Sequence, residues 1–419
     1  MTIRMDKLIK SITVALDMVE GELVGASSHH GKRIASLSAA MGRYLGMNDA
    51  VIQGLTISAL LHDNALAEYI FSERQGGTHD PAMKLHCELG QKNVDTLRLH
   101  GDTKDFVLYH HERADGGGPF RKRAGQYPLG AEIIHIADSI DVANHLQRLP
   151  AEKLPEIRKY IMENRGQIYI DSAADAMVHV LDEEMLLSLR DGCIVETAER
   201  FIPSWTIDIQ EDAIINLAGF VSRIIDYKSV FTERHSTQIA NKAWLMGGYY
   251  GYDVELRMQV YLAAAFHDLG KLATPVMILE KPGRLTDEEF HVIQDHVRIT
   301  NELLKDIDGF ERICGWAANH HEKLDGSGYP LGMRADQLDF NSRLIACLDV
   351  YQAVSEKRPY HAGRDHADAM KILSRMADQG LLDASIVKDM DEALAEYSGT
   401  DTPLPLGVCC ASSGGLNSV

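Results

Sequence analysis

Phe266-His-Asp-Leu-Gly-Lys271, followed fifty residues on by His320-His-Glu-Lys-Leu-Asp-Gly-Ser-Gly-Tyr-Pro330, decides how the rest of this 419-residue chain is read. Ahead of the first stretch, Leu256 to Phe266 places apolar residues at three and four spacing, the period of a helix that delivers a His-Asp pair at its end. A neutral imidazole supplies one nitrogen ligand, and the neighbouring carboxylate has two oxygens with which to bridge two cations. His296 with His320 and His321 could complete the shell of a second ion. Two metals at one site point to hydrolysis at phosphorus.

The chain contains this pattern twice. His62-Asp63 precedes His267-Asp268 by 205 residues, and the same offset relates His30 to His235. His86 matches His296 and His110-His111 matches His320-His321 at an offset of 210, and Asp138 matches Asp349 at 211. Ten of the nineteen histidines fall on this register, too many in order for coincidence, so the chain reads as a duplication. Ala174-Asp-Ala-Met177 echoes Ala367-Asp-Ala-Met370 at 193, which puts extra residues in the first copy after its last candidate ligand. Helical spacing recurs in Ile34 to Leu45, Val51 to Leu61 and Ile239 to Met246, and β-branched alternation is sparse. The expected fold class is therefore all-α, with two tandem helical-bundle domains at 1–200 and 201–419. They are joined near Ile194 to Asp212, where Pro203 interrupts the periodicity, and a flexible tail is expected from Gly399 onward.

Composition narrows the class of function. No apolar run approaches the roughly 18–20 residues of a membrane span. The opening Met1-Thr-Ile-Arg-Met-Asp-Lys7 lacks a secretory core, and the six cysteines form no C-x-x-C pair, all of which leads to a cytoplasmic expectation. A formal charge of −19 disfavours DNA or an anionic membrane as partner, so an anionic substrate has to be drawn by a local site. A homodimer or signalling partner proteins stay open.

In the second copy the candidate metal ligands are His235, His267, Asp268, His296, His320, His321 and Asp349. One ion would take His235, His267 and Asp349, the other His296, His320 and His321, with Asp268 bridging and a hydroxide between the ions attacking phosphorus in line. Asp268 and Lys271 are the candidate catalytic residues, Lys271 holding a phosphate oxygen or assisting the leaving group. The first copy offers a further metal site at His30, His62, Asp63, His86, His110, His111 and Asp138. A lone buried histidine is more often a hydrogen-bonded core residue than a ligand, but recurrence of the whole set in order argues against that. Asp349 could instead pair with Arg343 or Arg358, and Leu324 to Pro330 could be only a helix-ending turn. His291 and His366 read as surface histidines.

These residues resemble the HD-GYP family, a branch of the HD superfamily of metal-dependent phosphohydrolases, over most of Asp226 to Tyr360. The resemblance is carried by H-D-x-G-K at His267 to Lys271, H-H-E-x-x-D-G-x-G-Y-P at His320 to Pro330, and the closing Asp349 with Arg358-Pro-Tyr360. It implies an HD-type helical bundle with two or three iron or manganese ions. Such a site opens a bacterial cyclic dinucleotide messenger, cyclic di-GMP or 3′,3′-cyclic GMP-AMP, to the linear form through a metal-bridging hydroxide. Three-metal members carry Glu four residues before the first His ligand. Phe231 stands there in this chain, so two divalent ions and a pGpG-like linear product are expected.

The first copy resembles a diverged HD domain, with Leu66 in place of Lys271 and Asp115-Gly-Gly-Gly-Pro-Phe120 in place of the Gly-Tyr-Pro loop. Either it adds a second hydrolysis, such as 5′-nucleotidase action on the linear product, or it is a metal-bearing structural or regulatory partner. For the whole chain, an oxygen-activating di-iron centre and a cyclic dinucleotide receptor without turnover are the competing functions. Arg358 and Arg364, with Lys271, are candidates for substrate binding, and solvated charges at a helix start are the plainer reading of the two arginines.

Overall fold

Short polar side chains set where the helices begin. Asn48 accepts the Val51 amide ahead of helix Asp49–Leu60, and Asp253, on the 205-residue register, accepts the Leu256 amide ahead of helix Val254–Phe266. Thr286 and Glu289 form a reciprocal capping box at the start of helix Asp287–Leu304. Asp339 caps helix Phe340–Ser355 with one oxygen and accepts the Trp316 indole N–H at 2.7 Å with the other, which ties that start to helix Glu311–Ala318.

The computed structural model describes residues 1–23, 25–67, 79–97, 104–208, 210–228, 235–356 and 363–395. Among them the regular elements are helices apart from two three-residue strands, Thr2–Arg4 and Thr206–Asp208, which pair with each other. No described helix is long and apolar enough to cross a membrane. The chain divides into two units, Thr2–Ile207 and Asp208–Val419. Helix Ile194–Phe201, which lies in the stretch expected to join the copies, packs on helix His30–Tyr44 inside the first unit.

In the first unit, helix His30–Tyr44 is buried on nearly every side, the mark of a bundle's axial helix. Helices Met5–Leu23, Asp49–Leu60, Leu129–Asn144 and Asp171–Val180 pack around it. Helix His235–Tyr249 is the axis of the second unit, surrounded by Glu211–Tyr227, Val254–Phe266, Phe340–Ser355 and Ala384–Leu394. Its fully buried Trp244 is covered by the Arg257 guanidinium, 3.7 Å above the ring, which also donates to the Trp244 carbonyl. Tyr249, Tyr250 and Tyr252 bond Glu392, Asp389 and Asn341, so the stretch Gly247-Gly-Tyr-Tyr-Gly251 is held by its own unit.

One close approach positions the site. After His267-Asp268 the chain makes a 3-10 turn, Leu269–Ala273, so near helix Asp287–Leu304 that a Cβ on Gly270 would lie 1.9 Å from the His296 carbonyl oxygen. Thr300 Oγ1 accepts the Gly270 amide at 2.9 Å and donates to the His267 carbonyl at 3.1 Å. On the first copy's register Ala65 and Gly90 stand in place of Gly270 and Thr300, so the side chain has moved to the other partner of the contact.

Gly270→Ala should destabilise the second unit by about 1–3 kcal/mol, the usual cost of overpacking against backbone. Urea unfolding followed by tryptophan emission reads this directly, because Trp244 and Trp316 lie in that unit and Trp205 in the other. A midpoint equal to the parent's would contradict it.

Candidate metal centres

Helix ends aim the candidate ligands inward. A carbonyl near a helix C-terminus lacks its intrahelical partner, and a histidine just beyond can donate to it. His62 Nδ1 donates to the Ala59 carbonyl at 2.9 Å, His267 to Ala264 at 2.7 Å and His320 to Ala317 at 2.6 Å, and in a stretch of turns His110 donates to Val107 at 2.6 Å. His296 makes the same bond to Ile293 within helix Asp287–Leu304. Since a carbonyl only accepts, the proton sits on Nδ1 and each Nε2 presents a lone pair to the cavity.

In the second unit all seven sequence-derived candidates come together. Asp268 is 1% exposed, and its oxygens face opposite ways. Oδ2 lies 3.1 Å from His267 Nε2 and 3.9 Å from His235 Nε2, while Oδ1 lies 3.4 Å from His296 Nε2 and 3.8 Å from His320 Nε2. Asp349 spans the cavity floor, 3.5 Å from His235 Nε2 and 3.5 Å from His321 Nδ1. Arg343, an alternative partner for Asp349 in the sequence, pairs with Asp383 instead. Lys271 Nζ donates to Asp268 Oδ2 at 2.6 Å and stays partly exposed at the rim, where Tyr329 packs on the His321 ring.

The first unit repeats the arrangement. Asp63 Oδ1 meets His86 Nε2 at 3.1 Å and His110 Nε2 at 3.5 Å, its Oδ2 meets His62 at 3.6 Å, and Asp138 meets His30 Nε2 at 3.2 Å. His111 closes the set with Asp63, His86 and His110.

Both sets suit divalent cations. His235 Nε2, His267 Nε2 and Asp268 Oδ1 are buried without a hydrogen-bond partner, as are His62 Nε2, Asp63 Oδ1 and His110 Nε2. His296 and His320 bring two lone-pair nitrogens to 3.3 Å, a repulsion that a shared cation relieves. Burial pushes the Asp268 carboxyl up, but the His267 imidazole and the Lys271 ammonium prevail and hold it well below the usual range. Burial would lower His235, yet the facing Asp349 carboxylate and the bond to Glu356 lift it to about 9. Burial dominates at His321, bringing it to about 3. Residues of this kind hold metal as neutral imidazole and ionised carboxylate.

Several groups at the centres were not among the candidates read from the sequence. Asp141 accepts His30 Nδ1 at 2.6 Å and is gripped by Arg33 Nε at 2.9 Å, whereas Glu356 accepts His235 Nδ1 at 3.1 Å and belongs to a network with Gln352 and the buried Lys242. Glu20, on helix Met5–Leu23, reaches His62 and Asp63. Glu322 accepts the Leu331 and Met333 amides, and Glu112 the Phe120 and Lys122 amides, so one carboxylate shapes the loop after the His-His pair in both units. Of the remaining candidates, Arg364 is exposed ahead of helix His366–Asp378, and Phe231 and Arg358 lie outside the described residues. His291 is exposed; His366 is half-buried and bonded to Tyr351 and Asp391.

Comparison with known proteins gives concordant matches. The family model described as HD domain matches residues 15–174 and 219–386, once in each unit. The 3′3′-cGAMP-specific phosphodiesterase 1 of Vibrio cholerae is 28% identical over 370 residues, covering 85% of this chain and 85% of that protein. A cyclic di-GMP phosphodiesterase of Pseudomonas aeruginosa is 36% identical over 138 residues, 32% of this chain and 33% of its own length. Among solved structures, a cyclic GMP-AMP specific phosphodiesterase of V. cholerae superposes with a TM-score of 0.67 at 21% identity, over 94% of this chain and 99% of that one, which establishes the shared fold.

The outer network carries its own signature in stability. Burial lowers Lys242 from 10.5 to about 8, with Glu356 only partly opposing it. Between those values the unfolded chain binds a proton that the folded one does not, so stability rises with pH across that window. Parent protein should gain on the order of 2 kcal/mol more than Lys242→Met between pH 7.5 and 10, measured by urea unfolding; parallel pH profiles would refute this.

Proposed function

The chain belongs to the HD domain family, and from that premise we propose that its second unit is a metal-dependent phosphodiesterase that opens a cyclic dinucleotide to its linear form. The observation that carries this reading is Asp268, one buried carboxylate whose two oxygens face two different histidine sets. Such a carboxylate could be shared by two cations. When bound there, two divalent ions, with iron or manganese as the natural fit to a histidine and carboxylate set, supply acidified water and Lewis-acid polarisation of a phosphoryl oxygen.

The protein's own groups do the rest. His235, His267 and Asp349 surround one position, His296, His320 and His321 the other; Nδ1 bonds to backbone carbonyls hold the rings of His267, His296 and His320 in the tautomer that leaves Nε2 unprotonated, and for His235 the Glu356 carboxylate does the orienting. Lys271, on the Asp268 carboxylate, is placed to turn its ammonium toward a phosphate oxygen entering from the rim. Tyr329 covers the outer face of His321 and offers an aromatic wall beside the reacting phosphate. Arg364 is a further candidate for the second phosphate.

Between the two cyclic dinucleotides we favour 3′,3′-cyclic GMP-AMP. A relative named for it matches 85% of this chain, both units included, and a second matches 70%, whereas relatives named for cyclic di-GMP match between 27% and 48%.

The test is chromatography of products from protein purified without oxygen, loaded with manganese or ferrous iron and given each cyclic dinucleotide in turn. The expected result is a linear dinucleotide, faster from the hybrid substrate, with His267→Ala and Asp268→Asn inactive. Failure to turn over either compound with two ions bound in the second unit would sink the assignment. Lys271→Ala should lose roughly 100-fold in turnover, the scale for removing one charge-stabilising donor, with its metal content intact; a rate within a few-fold of the parent would remove Lys271 from the chemistry.

A further inference from the structure

Glu20 was not among the candidate ligands, because it precedes the first of them in its copy, His30, by ten residues and has no place in the repeat. The fold puts it in the site. Helix Met5–Leu23 lies against both helix His30–Tyr44 and helix Asp49–Leu60, and Glu20 is 3% exposed on its inner face. Its Oε2 is buried without a hydrogen-bond partner, and a carboxylate oxygen of Glu20 lies within 4.8 Å of ligand atoms of His62 and Asp63. An ionised carboxylate left so in a protein interior is costly unless a cation meets it.

Two groupings share His62: one with His30 and Asp138, one with Glu20 and Asp63. His62 Nδ1 is committed to the Ala59 carbonyl, so only Nε2 can bind metal, and a single nitrogen lone pair serves a single ion. Both groupings therefore describe one cation position. We propose that Glu20 is a ligand of the ion held by His30, His62, Asp63 and Asp138 in the first unit, giving that ion five protein donors.

Among the described residues, no carboxylate of the corresponding helix Glu211–Tyr227 joins the clusters of the second unit. The first centre then has the carboxylates Asp63, Asp138 and Glu20, while the second has Asp268 and Asp349 with the Lys271 ammonium beside them. More negative charge and one more donor mean that the first unit grips its cation harder and leaves fewer positions for an incoming ligand. The two copies have thereby diverged in how open their metals are, and the change sits on a helix outside the shared motif.

The test uses the full chain carrying His267→Ala, Asp268→Asn, His296→Ala and His320→Ala, so that both ion positions of the second unit are removed and only the first centre reports, titrated with manganese(II) alone while electron paramagnetic resonance counts free ion. Glu20→Gln should weaken one of the bound ions by about tenfold or more, at least the loss usual for an outer-sphere partner, and should shrink the rise in unfolding temperature that manganese produces. His62→Ala should remove the same ion. Unchanged affinities and an unchanged manganese-induced shift in Glu20→Gln would overturn the assignment, as would the absence of manganese binding in the parent of the series. If circular dichroism shows Glu20→Gln unfolded without metal, Glu20→Asp, which keeps the charge but withdraws it by one methylene, should show the weakening, and parental affinity in that variant would equally overturn it. No nucleotide is used, so the outcome is independent of the phosphodiesterase assignment of the second unit.

Discussion

The bond from a histidine Nδ1 to the carbonyl three residues earlier is the constraint on which both centres depend. It occurs at His62, His110, His267, His296 and His320. Each instance uses a backbone acceptor supplied by a helix or, for His110, by a turn, decides the tautomer, and leaves one lone pair pointing inward. A flexible side chain is thus converted into a fixed donor without a dedicated side-chain partner. That economy explains why a bundle of helices of modest length can bring seven candidate ligands to one cavity: once the helix ends are packed, the nitrogens are already aimed.

The histidines that open the axial helices lack such a carbonyl, and each unit answers the problem differently. His30 relies on Asp141, itself clamped by Arg33, whose guanidinium also reaches the Ser28 carbonyl and the Ser27 hydroxyl. His235 relies on Glu356, within reach of Gln352 and, through it, Lys242. The first solution neutralises the orienting carboxylate with an always-charged arginine. The second uses an amide and a lysine whose charge burial makes expensive, a softer arrangement.

Duplication followed by drift accounts for the rest. Paired glycines, Gly118 and Gly328, survive because a Cβ at either would collide with the backbone of Glu112 or Glu322 beneath it, and those glutamates hold the loop after each His-His pair. The contact between the turn after His-Asp and the following ligand helix has been kept while its residues changed, from Ala65 with Gly90 to Gly270 with Thr300. Lys271 has no counterpart at Leu66, which is buried against Ala82 and Met83. The first unit has therefore closed with apolar packing the side on which the second unit keeps a cation.

By itself the sequence determined the all-helical class, the duplication, and fourteen candidate ligands in order, because histidine and aspartate at repeated offsets are a signal that survives without coordinates. Helix starts were equally legible where Asn48 and Asp253 recur as caps, since capping is a local interaction. Tertiary structure alone decided which carboxylates stand behind or beside the ligands. Glu20, Asp141 and Glu356 carry no periodic mark, and each reaches its centre only because its helix packs against another that carries a ligand. Local patterns record what a residue does to its own segment; what it does across a packed interface depends on helix crossings that no short-range pattern encodes.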